Sequence, residues 1–418
     1  MRTRCLWGQK SRKLLAKTER AEPFAGKFRA AAVYFGRLRL MTVTPRFVFV
    51  TCQVGAAAAV KREVARVWPQ WRPAFARPGF ITFKLPDGLR LPEDFDLQSV
   101  FARAYGFSLG TVRGSGLEEL ARRAWQLAVG LPVRRIHAFP RDTAEPGYRD
   151  FQPALTAESL AAHAALLGSC PRLELLAPGA ADPNQPARRG ELVLDCILLE
   201  QDMWCVGCHR AKSIASRWPG GMMPLELPPD AVSRAWLKIE EALRWSELPI
   251  PRGARVAEIG SAPGGSSQAL LARGFQVTGI DPAEMHPAVL AHPNFRHLRK
   301  RSTQVRRREF RKVRWLIVDM NVTPNYTLTA VEAIVTHPQV NIRGMLLTLK
   351  LTDWRLAERV PEYLERVRSW GYNIVRARQL QHNRQEICVA ALQKPFRRKP
   401  PLHKSATKRQ MPQSRQSR

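Results

Sequence analysis

The strongest constraint on the fold is a regular alternation of helix-period and strand-like segments after residue 230. A helical pattern over 231–245 is followed by a strand over 255–259, a helix over 267–273 and strands over 276–280 and 315–318. A helix over 327–336, a strand over 345–350, a helix over 361–370 and two closing strands complete the series. Parallel strands cannot be joined by tight turns and need crossover connections, most often helices, so this order predicts a doubly wound, mostly parallel sheet. In such sheets ligands gather at the carboxyl ends of the strands.

At 418 residues the chain exceeds one typical domain. Strand-like residues 46–51, a helical pattern over 57–68 and a strand over 80–84 open an earlier region. It continues with helices over 117–129 and 157–167, a strand over 135–139 and a hairpin formed by 191–199 and 203–208. These elements predict a smaller α+β unit. The Pro/Gly-rich stretch 177–186 reads as a loop within it, because the hairpin belongs to the same sheet, and a boundary falls at 224–230. The expected organisation is a basic extension over 1–40, an α+β domain over 41–228, an α/β domain over 229–394 and a basic tail over 395–418. The extension lacks an apolar stretch with a cleavage site. A basic arm and an organelle-type presequence are open readings for it, and a start codon assigned too early is the favoured one. The closing segment 394–418 has nine Lys and Arg, no acidic residue and several prolines, a composition expected to be disordered and available to phosphates.

Sixty-seven Lys and Arg against 35 Asp and Glu give a net charge of +32, which implies a polyanionic partner. Nucleic acid is expected before a membrane, since no apolar run is long enough to span one. Seven scattered cysteines suit reduced thiols in the cytoplasm. Cys205-Val-Gly-Cys208-His209 has the spacing of a covalent haem site, but it falls in the predicted hairpin. A zinc site would need a second pair of ligands, and none follows at a suitable spacing, so no metal is expected.

The apolar segment 256–259 runs directly into Gly260-Ser261-Ala262-Pro263-Gly264-Gly265 and then a helix, the setting of a nucleotide loop. The spacing is neither G-x-G-x-x-G nor that of a P-loop, so an amino-acid-bearing cofactor fits better than a pyrophosphate. Asp281 ends the next strand, where a carboxylate can accept from both ribose hydroxyls.

Together with residues 233–242, the Gly260–Gly265 loop, Val318-Asp319-Met320, Leu347-Thr-Leu-Lys350 and Asn383-Arg-Gln-Glu386, the order and spacing resemble the FtsJ/RrmJ-like ribose 2′-O-methyltransferases. The likeness is greatest to the RlmM branch, which acts on large-subunit ribosomal RNA and carries an N-terminal THUMP-type domain. It covers the last two-fifths of the chain well and 41–228 more weakly. The resemblance implies a Rossmann-like methyltransferase domain with a mostly parallel seven-stranded sheet, preceded by a THUMP/ferredoxin-like domain. It also implies S-adenosylmethionine as cofactor and a catalytic tetrad of Lys238, Asp319, Lys350 and Glu386. Gly260, Ser261, Ala262, Pro263, Gly264, Gly265, Asp281 and Asp319 would hold the cofactor.

The residues support the tetrad, because Asp319 follows one strand and Lys350 closes another at one sheet edge, and Glu386 joins them if the final strand runs antiparallel, as the resemblance implies. Lys350, desolvated near Lys238, is expected to have a lowered pKa and to act as base. Lys238 and Glu386 would orient it and the hydroxyl, with Asp319 holding the ammonium and facing the methyl donor. Two positions depart from the family: residues 297–302 lack the acidic partner of the adenine amino group, and Ala235 replaces a small hydroxyl residue. Adenine held by backbone groups and weaker affinity are both open.

Ten Lys and Arg between Arg296 and Arg314 are expected beside the cleft as phosphate contacts. Trp204, Trp218 and Trp354 are either stacking platforms for unpaired bases or core residues. The competing functional readings are a non-catalytic RNA-binding or ribosome-assembly factor with the same fold and, less well matched, a nicotinamide oxidoreductase. A monomer is expected.

Overall fold

The computed structural model describes residues 45–143 and 154–393. The basic extension 1–40 and the tail 395–418 lie outside the described residues. Among those described, no helix is long and apolar enough to cross a membrane.

The first sheet is built from β1 (Phe47–Cys52), β2 (Arg72–Arg77), β3 (Phe80–Lys84), β4 (Ala102–Arg113), β5 (Arg135–Pro140), β6 (Leu192–Glu200) and β7 (Met203–Arg210). Its order is β2-β3-β1-β4-β7-β6-β5, antiparallel except for the β5–β6 pair. Helices α1 (Ala57–Val67), α2 (Leu117–Leu127) and α3 (Ala157–Gly168) belong to the same region. The β6–β7 hairpin falls within a residue or two of the expected one. Two strands escape the sequence reading. β2 reads Arg-Pro-Ala-Phe-Ala-Arg, too polar for a strand signature, and Gly106, Ser108 and Gly110 interrupt the pattern of the twelve-residue β4. The glycine is required at position 106, because an added Cβ there would come within 2.6 Å of the Cys208 carbonyl and 2.9 Å of the Phe49 ring. With seven strands in each sheet, this region is not the smaller one in strand number.

The second sheet contains β8 (Arg255–Ile259), β9 (Gln276–Ile280), β10 (Phe295–Leu298), β11 (Trp315–Val318), β12 (Gly344–Lys350), β13 (Ile374–Arg378) and β14 (Glu386–Leu392). Its order is β10-β9-β8-β11-β12-β14-β13, with β14 antiparallel to both neighbours and every other pair parallel. This is the expected doubly wound arrangement, with β10 an addition to the elements read from sequence. Its helices are α4 (Ala235–Ser246), α5 (Gly265–Ala272), α6 (Pro287–Leu290), α7 (Pro324–Val335) and α8 (Val360–Ser369). α4 is rich in Ala, Leu, Lys and Glu, strong helix formers, and ends where Glu247 turns left-handed at φ 50°. Its Ile239, Ala242, Leu243 and Trp245 share a core with Leu270, Val277, Ile317 and Leu346.

The first sheet meets the second beyond β13. Arg378 donates to the Arg103 carbonyl, Gln379 N donates to the Val100 carbonyl at 2.7 Å, and the Gln379 side chain donates to Gln53 Oε1 at 2.6 Å. Trp354 packs edge-on against Phe101, with ring centroids 6.0 Å apart.

Candidate active site

Chain order reverses between β8 and β11, and the crevice beyond their carboxyl ends is where an open α/β sheet receives ligands. Gly260 closes one side and Asp319 the other. The two loops touch: Asp319 N donates to the Ile259 carbonyl at 3.0 Å, and a Cβ on Gly260, whose φ is +82°, would lie 2.2 Å from the Asp319 carbonyl oxygen. Only glycine fits there.

The four charged residues predicted from sequence come together beside this crevice. Lys350 is the last residue of β12 and Glu386 the first of β14, and the antiparallel register sets them directly opposite one another. Lys350 Nζ pairs with Asp319 Oδ1 at 2.7 Å and also with Glu386 Oε2. Lys238 Nζ reaches from the first turn of α4 to Glu386 Oε1 at 2.5 Å. The result is a chain of alternating charge, Lys238–Glu386–Lys350–Asp319. Asn383 fixes its centre by donating to Glu386 Oε1 at 3.1 Å while accepting from Leu380 N at 3.0 Å. A small cavity lined by Lys238, Ser266, Asp319, Thr348, Asn383 and Cys388 lies against this chain.

One electrostatic expectation is reversed. Burial by itself lowers the Lys350 pKa, but Glu386 and Asp319 outweigh it and hold the ammonium well above its ordinary range. The sequence reading weighed Lys238 as a like-charged neighbour, whereas Glu386 stands between the two lysines. Burial likewise raises the Glu386 carboxyl, and Lys238 and Lys350 overcome that effect and hold it below the usual range.

Sequence reasoning missed Glu241. One turn beyond Lys238 on α4 it is buried, and it accepts from the backbone N–H groups of Gln381 at 2.7 Å and His382 at 2.9 Å. These amides belong to the β13–β14 connection that delivers Asn383 and Glu386. Burial pushes the Glu241 carboxyl up to about 7 against the pull of both amides. The only sequence signal is an acidic residue on the apolar face of an amphipathic helix.

In the glycine loop, Gly264 is at φ +123° with its Cα facing Val289, and a Cβ on Gly265 would lie 2.2 Å from Ser233 Oγ. Ser261 is buried with Oγ 3.5 Å from Met285 Sδ, and the Ala262–Pro263 peptide is cis. Asp281 stands at the end of β9, where its carboxylate accepts from Ala262 N at 3.2 Å and Ala283 N at 2.8 Å. It therefore braces the loop as well as facing the crevice. Beneath them Glu258 is wholly buried, bonded through Oε2 to Ser267, with Oε1 unpartnered. Burial lifts its carboxyl to about 7, Ser267 and Ser266 counter this, and the charges of Asp319 and Asp281 add to it. Two carboxylates, Asp281 and Asp319, thus flank the loop above the buried Glu258 carboxyl. That donor set repels a pyrophosphate and suits a cofactor bearing ammonium and sulfonium charges.

The basic stretch divides. Arg299, Lys300 and Arg301 follow the carboxyl end of β10, on the crevice side of the sheet. Arg308, Arg311 and Lys312 line a groove with Arg255 and Gln276, the first residues of β8 and β9, at the opposite edge. The run as a whole is therefore not beside the cleft, because the chain must return to the amino edge to begin the parallel strand β11. Trp204 is 1% exposed inside the first sheet and is no stacking platform. Trp354 is engaged with Phe101, and Trp218 packs on the core of the second sheet. Cys205 and Cys208 are buried on β7, where a separation of three residues sends their side chains to opposite faces.

Residues 231–410 match the family described as FtsJ-like methyltransferase. The match takes in the whole second sheet and its crevice, so the α/β half is similar to that family. Curated relatives point to one kind within that class. The chain is 34% identical over 189 residues to ribosomal RNA large subunit methyltransferase M of Halorhodospira halophila, covering 44% of this chain and 53% of the relative. It is 33% identical over 206 residues to the protein of that name in Xylella fastidiosa strain 9a5c, covering 47% and 57%. For Laribacter hongkongensis the identity is 30% over 184 residues, covering 41% and 51%. The chain thus spans about half the length of the curated relatives it matches.

Proposed function

We propose that this protein transfers the methyl group of S-adenosylmethionine to a ribose 2′-hydroxyl of RNA, with large-subunit ribosomal RNA as the substrate. The observation that carries this reading is the Lys238–Glu386–Lys350–Asp319 chain beside the carboxylate-rich glycine loop. The bound cofactor supplies an electrophilic methyl group on a cationic sulfur. Gly260 to Gly265 and Asp281 would hold it, with Asp319, paired to Lys350 at 2.7 Å, facing the same crevice. Once Asp319 is shared with a second cation it no longer stabilises the Lys350 ammonium alone, and Lys350 gives up its proton more readily. Lys350 would accept the proton of the hydroxyl that takes up the methyl group, the cofactor departing as the neutral thioether. Glu386 aligns both lysines, and Lys238 holds the hydroxyl oxygen in line.

Residues 41–228 act in this reading as a THUMP-type RNA-binding domain, supported by the net charge of +32. The six cysteines of the described residues are free thiols, in keeping with a cytoplasmic protein, which we take to be monomeric. Calorimetry with S-adenosylmethionine, paired with transfer of a labelled methyl group to ribosomal RNA, tests the reading. Binding with transfer to a ribose supports it. Absence of binding refutes it, and binding without transfer favours the assembly-factor alternative.

A further inference from the structure

His209, which closes the Cys205-Val-Gly-Cys208-His209 run, has no part in the chemistry above. Its surroundings give it another use. β5, β6 and β7 are neighbours, and their register sets His137 opposite Asp195, and Asp195 opposite Gly207, two residues before His209. Residues two apart on a strand share a face, so all three side chains leave the same side of the sheet. All three are buried, and one donor atom of each lies within 4.8 Å of the other two. His209 Nδ1 is 2.6 Å from Asp195 Oδ2, and His137 Nδ1 is 3.8 Å from Asp195 Oδ1.

Both ring nitrogens of His137 and Asp195 Oδ1 have no hydrogen-bond partner. Fully buried polar atoms are rarely left in that state, because their lost hydration is not replaced. His209 Nε2 lies 2.7 Å from the Ser216 carbonyl. A backbone carbonyl behind the far nitrogen is how a metal-bound imidazole is held in one tautomer and direction.

We propose that His137, Asp195 and His209 form a binding site for a divalent transition-metal ion, zinc(II) first among them. Two imidazoles and one carboxylate favour such an ion over magnesium or calcium, which take oxygen ligands. Asp195 and His209 also line a cavity shared with Ser216, Trp218 and Arg376, from which water completes the coordination. Arg135, on the same strand face as His137, is offset by Glu191 at 3.6 Å. The cysteines take no part: Cys205 Sγ rests 3.7 Å from Ser108 Oγ, and Cys208 leaves the opposite face. The motif spacing conceals the site because its second and third ligands come from β5 and β6. The ion clasps β5, β6 and β7 to the 215–217 turn and touches none of the four charged residues of the crevice, so its role is structural.

The test uses untagged full-length protein prepared without chelator. Elemental analysis is expected to find about one zinc per chain. Added cobalt(II) is expected to give visible bands without a sulfur charge-transfer band, and chelation to lower the unfolding midpoint. His137→Ala and Asp195→Asn lose the ion, whereas Cys205→Ser with Cys208→Ser keeps it. A wild-type protein that binds neither zinc nor cobalt after incubation overturns the proposal without reliance on any variant's folding, and leaves His209 and Asp195 as a buried hydrogen-bonded pair. Retention by both ligand variants, or loss with the cysteine pair, also overturns it.

Discussion

Lys350 is flanked by two carboxylates, and this governs how it can be used. Asp319 and Glu386 hold its proton, so the proposed role as base requires a second cation to engage Asp319. Lys350→Ala is therefore expected to lower turnover by at least about 10³-fold, the upper part of the range for general bases. Calorimetric affinity for S-adenosylmethionine should change little, and retained turnover would remove Lys350 from the role of base. Glu258 makes a separate prediction. Its folded pKa of about 7 lies above that of an ordinary carboxyl, so the folded state binds the proton more tightly than the unfolded chain. Its contribution to stability is thus lost as pH rises from the usual carboxylate range through 7. Unfolding midpoints of wild type and Glu258→Gln measured between pH 5 and 8 should differ in slope, with the decline towards pH 8 flattened in the variant. Parallel curves would show that Glu258 titrates normally.

At the scale of elements, the site depends on α4 gripping the β13–β14 connection. Glu241→Ala removes the acceptor for two backbone amides and frees the segment that carries Asn383 and Glu386. A displacement of that kind is expected to cost about 10²-fold in kcat with little change in cofactor affinity. Equal losses in both would instead indicate general damage to the fold. Gly265→Ala tests the packing of α5, since the new methyl group meets Ser233 at 2.2 Å and backbone at 2.7 Å. The expected loss is about 1–3 kcal/mol, read from denaturant unfolding. The parallel sheet was legible because its apolar strands alternate with amphipathic helices, and Asp319, Lys350 and Glu386 were legible as strand-end residues. Glu241 was not, because its partners are main-chain amides about 140 residues away, which leave no mark on composition or spacing. β4 was hidden by glycines whose purpose, room for Phe49 and the neighbouring strand at Gly106 and for Leu127 at Gly110, exists only in the folded sheet. The charge state of Lys350 was misread for a similar reason: sequence shows which charges are present but not which stands between which.

For the whole molecule, the split of the basic stretch separates two surfaces that sequence joins. Arg299, Lys300 and Arg301 lie towards the crevice, and replacing all three with Gln should reduce the salt dependence of RNA binding by roughly two to three in log–log slope. Replacing Arg308, Arg311 and Lys312 at the far edge should leave that slope nearly unchanged. Equal effects would mean that RNA wraps both edges. The central claim, that the four charged residues transfer a methyl group to a ribose of large-subunit ribosomal RNA, is tested most directly in a strain lacking the gene. Its ribosomal RNA is mapped for 2′-O-methyl groups after complementation with wild type or Lys350→Ala. The account predicts one 2′-O-methyl nucleotide in the large-subunit RNA that vanishes on deletion, returns with wild type and stays absent with Lys350→Ala. Identical maps in all strains, or restoration by Lys350→Ala, would contradict it.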